Sequence, residues 1–278
     1  MSTVSQHTEW LSLIDVSGPF LAIPVLERAF PQGLDVVETP QRQRLRQAYD
    51  EWRDSVDTGD PELMAIHEVW LRLVLEELLE FDAEVMKPAI ELPESLVYVA
   101  PEHGLTLKPD LAILSPDGDA AKARLLITTY PPETDLEAVL PGDGWPASPA
   151  ERMTLLCRAT GVRLGLVTNG ERWMLVDAPV GATTGYASWY ARLWSQEPVT
   201  LRAFQSLLGV RRFFGPQDET LESLLESSLE HQEEVTTNSV NRYAVPSRCW
   251  FRRWIGRTST VTVNCYTTSR HLNSTRRG

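Results

Sequence analysis

Apolar residues recur at intervals of three and four between Pro61 and Phe81. Trp70, Leu71, Val74, Leu75, Leu78 and Leu79 fall on one side of a helix, and Pro61 suits its first turn. The other side carries Glu68, Arg72, Glu76, Glu77 and Glu80, a face that is ordinarily solvated. Beyond this helix the period changes. Leu96 to Ala100, Leu107 to Leu114 and Arg124 to Tyr130 read as strands, the last two separated by the turn residues Ser115, Pro116, Asp117 and Gly118. An irregular loop over Pro131 to Pro146 leads into Ser148-Pro149-Ala150-Glu151, a capping box with proline at the first helical position. That helix is expected to stop at Gly161. Val162 to Val167 and Arg172 to Val176 then form a hairpin through Asn169-Gly170.

On either side of this block the pattern is helical. Phe20 to Phe30 and Pro40 to Trp52 precede it. Tyr186 to Trp194 follows as an aromatic segment expected to be helical, then helices begin at Thr200 and Asp218. Three strands, a helix and two more strands, flanked by helices, predict an α/β fold with a mixed central sheet.

The 278 residues suffice for one large or two small domains. No apolar run approaches the roughly 18 residues of a membrane span, and no secretory leader is visible. Cys157, Cys249 and Cys265 lack metal-ligand spacing, so the cytoplasm is the expected compartment and no membrane partner is expected. Charge divides the chain sharply. Residues 1–237 hold all 38 acidic and 18 basic side chains, a formal −20, whereas residues 238–278 hold eight arginines and no acid or lysine. The tail therefore reads either as a disordered basic segment for nucleic acid or an acidic partner, or as translation in the wrong frame. Codons permitted for residues 238–277, read one base earlier, can encode an amphipathic, charge-balanced continuation of the preceding helix. The out-of-frame reading is preferred, and it makes the chain the N-terminal fragment of a longer protein.

Candidate chemistry centres on Lys108-Pro109-Asp110 and the strand that follows it. Mg²⁺-dependent phosphodiester hydrolysis needs carboxylates to hold a hard cation and, commonly, a lysine to polarise the attacking water. An acid at one strand start and an acid-x-lysine on the adjacent strand supply them. Pro109-Asp110, the strand Leu125 to Tyr130, and the run Gly165 to Trp173 containing Thr168-Asn169-Gly170 resemble the PD-(D/E)xK nuclease-like N-terminal domains of restriction enzymes, including the HsdR-type subunit. Over residues 9–235 the chain resembles the N-terminal region of type IIG-like restriction–modification and phage-defence proteins of actinobacteria, which join such a domain to an adenine-specific DNA methyltransferase.

The resemblance implies a restriction-endonuclease-like core over residues 61–178, a helical N-terminal extension over 1–60, a helical extension over 179–235 and a disordered, out-of-frame tail over 236–278. It puts Asp110 at the metal-binding acid, Thr128 at the second acid and Tyr130 at the lysine. A neutral hydroxyl gives a cation little charge and a phenol replaces an ammonium poorly, so loss of catalysis is expected. Glu102 or Glu133, in loops beside these strands, are the candidate substitute acids, with Mg²⁺ required only if the site works. DNA and a methyltransferase or helicase of a defence system are the partners implied. The alternative is a noncatalytic interaction or regulatory domain that docks such a partner. Neither a methyltransferase motif nor a P-loop is present. His67, Trp173 and the aromatics of 186–194 read as packed residues, and Arg211-Arg212-Phe213-Phe214 as a solvated helix end.

Overall fold

A computed structural model describes residues 3–100, 104–115, 123–141 and 145–243, with the backbone alone described for 3–6 and 233–243. In chain order the elements are α1 (Thr3–Leu11), β1 (Asp15–Ser17), α2 (Ile23–Ala29), α3 (Thr39–Thr58), α4 (Leu63–Arg72), β2 (Met86–Pro88), β3 (Tyr98–Ala100), β4 (Leu105–Leu107), β5 (Leu111–Ile113), β6 (Leu125–Thr129), α5 (Pro149–Thr160), β7 (Leu164–Thr168), β8 (Arg172–Asp177), β9 (Gly185–Tyr190), α6 (Pro198–Leu208), α7 (Arg211–Phe214) and α8 (Leu221–Tyr243). Seven strands form one mixed sheet in the order β1-β9-β8-β7-β6-β5-β2, and β3 and β4 make a separate hairpin. Within the large sheet β6 and β7 run parallel, with α5 as the crossover, and the other neighbours are antiparallel. The fold is thus α/β with a mixed seven-stranded sheet among helices.

Side-chain alternation divides the interior into two cores. Leu125 and Ile127 of β6, Leu164 and Leu166 of β7, and Trp173 and Leu175 of β8 face the larger core, which α1, α2, α3, α4, α6 and α8 share. Leu126, Val167, Met174 and Val176 face the smaller one, covered by α5 and the β3–β4 hairpin. Gly165 marks the closest approach on that side. A Cβ there would lie 2.4 Å from Met153 Cγ and 3.0 Å from Cys157 Sγ, so the buried Met153 side chain would have to shift to admit one. The α5 capping box is formed as expected: Ser148 Oγ accepts from Glu151 N at 3.2 Å, and Ser148 N donates to Glu151 Oε2 at 2.7 Å. Gly161 ends the helix in the left-handed region.

Four sequence expectations change. Tyr186 to Trp194 is not a helix: Gly185–Tyr190 is strand β9, and Ala187 and Trp189 alternate into the larger core. Period-two burial and aromatic β-propensity outweigh the helical reading there. Leu107 to Leu114 is not one strand. Pro109 interrupts it, leaving β4 in the hairpin and β5 in the main sheet. The helix of Pro61 to Phe81 widens after Arg72 into a π-helical turn over Leu73–Leu78, with Leu79 N bonded to Val74 O and Phe81 N to Leu75 O. Asp15–Ser17, in a stretch read as a helical extension, is an edge strand paired with β9. The segment Pro116–Gly118, Glu102 and the tail from residue 244 lie outside the described residues. No helix among the described residues is long and apolar enough to cross a membrane.

Candidate functional site

Pro109 is buried and ends the run from β4; Asp110 then enters the sheet. Asp110 N donates to Ile127 O at 2.9 Å, and Ala89 N donates to Asp110 O at 2.8 Å, so the residue is locked between β6 and the segment after β2. Its carboxylate reaches across to β6, where Oδ2 accepts from Thr129 N at 2.7 Å and from Thr129 Oγ1 at 3.2 Å. Asp110 is open to solvent, yet its carboxyl rests against the packed strand ends. Desolvation there raises its pKa above the ordinary aspartate value, and the two Thr129 hydrogen bonds only partly offset that rise.

Leu111 pairs with Ile127 in the β5–β6 ladder. One step further the register sets Asp110 opposite Thr128, on the same side of the sheet. Thr128 Oγ1 is buried and has no hydrogen-bond partner among the described residues. Tyr130, two residues on, packs against the smaller core, while its backbone N donates to Thr168 O at 2.8 Å. The structure therefore brings Asp110, Thr128 and Tyr130 together at one strand end. Glu133 is exposed in the loop that follows and forms no described contact with Asp110. Among the described residues no group of three or more His, Cys, Asp or Glu side chains could hold a metal ion. One carboxylate already bonded to Thr129, a neutral hydroxyl and a phenol do not fit Mg²⁺, which wants anionic oxygen ligands in octahedral array.

Directly behind this strand end lies a rigid polar and aromatic bracket. Trp52 Nε1 donates to His67 Nδ1 at 3.0 Å, and His67 Nε2 lies 3.0 Å from Tyr130 O. An indole N–H only donates, so Nδ1 accepts and Nε2 carries the proton that bonds the Tyr130 carbonyl. Burial pushes the His67 pKa down, against the raising effect of that carbonyl, and keeps the ring neutral. His67 is a packed histidine, as its place on the helix predicts.

The Thr168-Asn169-Gly170 run is equally engaged. Gly170 sits at φ +87° and its carbonyl accepts from two indoles, Trp70 Nε1 at 2.9 Å and Trp173 Nε1 at 3.1 Å. Asn169 Oδ1 accepts from Glu171 N and Arg172 N, while its Nδ2 donates to Thr134 O at 2.8 Å. Glu171 in turn accepts from Tyr49 Oη at 2.7 Å and pairs with Arg192. These residues hold the hairpin to the helices and to loop 131–134.

Arg211 and Arg212 are less alike than the sequence suggests. Arg212 stacks over Phe30 and donates to the Ser206 and Glu219 carbonyls, whereas Arg211 stays exposed. Sequence reading missed one concavity altogether: a cavity of about 190 Å³ between α3, α4 and α6, with the nearly buried Trp70 and Trp194 among its lining residues. Its walls come from residues 39–49, 70 and 191–201, so no local motif announces it. No family model matches the chain, and no curated protein or solved structure matches it either.

Proposed function

We propose that this chain is a nuclease-like domain of a DNA restriction–modification or phage-defence protein in which metal-dependent cleavage has been lost. The observation that carries the reading is the constellation at the end of β5 and β6. An aspartate follows a proline at a strand start, and the neighbouring strand faces it with Thr128 and then Tyr130. This is the spacing of a two-strand metal site with its second acid and its cation replaced by neutral groups. The acidic helix face of Glu68, Arg72 and Glu76 adds no ligand, because Arg72 pairs with both carboxylates at 3.0 and 3.6 Å.

Two measurements test the proposal. Plasmid nicking by the full chain should stay at background with or without Mg²⁺, and nicking that needs both Mg²⁺ and Asp110 would overturn the loss of cleavage. The double substitution Thr128→Glu, Tyr130→Lys should create Mg²⁺ binding that a further Asp110→Ala removes. A folded double variant that binds no divalent cation would count against the nuclease-like assignment itself.

A second reading is favoured by charge. The formal −20 over residues 1–237 disfavours a DNA grip held by bulk electrostatics and suits docking to a basic DNA-modifying partner such as a methyltransferase or helicase. Association of that kind should weaken steeply as salt is raised, and a salt-insensitive complex would speak against it.

A further inference from the structure

We draw no further inference here: the strongest candidate, the wide polar groove between α3 and α6 lined by Asp35, Glu38, Glu77, Glu80 and Glu219, is a cluster of carboxylates sharing its walls with Arg44, Arg211 and Arg212, and nothing in the structure shows what it would bind.

Discussion

The strand end at Asp110 and the hairpin at Gly170 sit side by side, joined by the Tyr130 N to Thr168 O bond, yet they are built on opposite terms. The hairpin spends every polar group internally. Its glycine carbonyl takes two indole donors, its asparagine bridges four backbone groups, and its glutamate ties α3 to the turn after β9. At the Asp110 end the carboxylate faces solvent, and Thr128 keeps a buried hydroxyl without a bond. Both regions carry residues that a motif search would mark. The difference teaches that the run Thr168-Asn169-Gly170 is explained by architecture alone, whereas the Asp110 side chain is held by Thr129 of one neighbouring strand and is otherwise open to solvent.

The sharpest way to break this comparison is at Gly170. A side chain there must adopt φ +87° and would put its Cβ 2.9 Å from both His67 Cε1 and Trp52 Cζ2, two rings that are themselves fixed. Gly170→Ala should cost about 4 kcal/mol in urea unfolding, from backbone strain and overpacking together. A loss below about 1 kcal/mol would mean that the bracket yields.

Next in size is His67. His67→Leu strands the Trp52 indole and the Tyr130 carbonyl and should cost about 3 kcal/mol. Its pH dependence has a defined sign. The folded pKa is depressed below 6.5, so the unfolded chain takes the proton first and stability falls as pH drops below about 6.5, levelling off beneath the folded value. His7, also depressed by burial, acts in the same direction. Asp110 and Glu222, whose carboxyl pKa values are raised, act in the opposite one. The part due to His67 is therefore the difference between wild type and His67→Gln, whose urea midpoint should shift less between pH 7 and pH 5.5.

A smaller effect is expected at Trp70. Trp70→Phe keeps most of the ring packing but removes one of the two donors to Gly170 O, for about 1–2 kcal/mol, because Trp173 still serves that carbonyl. The smallest belongs to Asp110. Asp110→Asn should change stability by less than about 1 kcal/mol, and thermal melts of the two proteins should nearly coincide. If Asp110 proves as costly to replace as His67, the contrast between a structural hairpin and a dispensable strand end collapses.

What the sequence discloses follows the range of the interactions involved. The α5 helix is legible because its start lies in four consecutive residues, Ser148 to Glu151, and its stop in one, Gly161. Strands β6, β7 and β8 are legible because their apolar runs are bounded by turns. The aromatic strand β9 is not, since its identity depends on β8 beside it: Trp173 pairs with Trp189, and Val176 with Tyr186. The juxtaposition of Asp110 with Thr128 is inferable from two adjacent strands, but the bond from Thr129 to Asp110 is visible only in three dimensions. The His67 to Tyr130 bond spans 63 positions, and the cavity draws on α3, α4 and the segment 191–201; no window along the chain holds either.

One feature of the sheet bears on how the chain is made. One of its two edge strands, β1, pairs Asp15 with Ser188, and the Tyr190 hydroxyl bonds the Asp15 carboxylate. Among the described strands, the first to be synthesised must therefore wait for the last. Synthesis at roughly 5–20 residues per second leaves that edge unsatisfied for on the order of ten seconds or more. Until β9 emerges, Trp189 is missing from the larger core, and α1 and α2 have no completed sheet to settle on. Closure of this fold is thus a late event, set by the length of chain between residue 15 and residue 190.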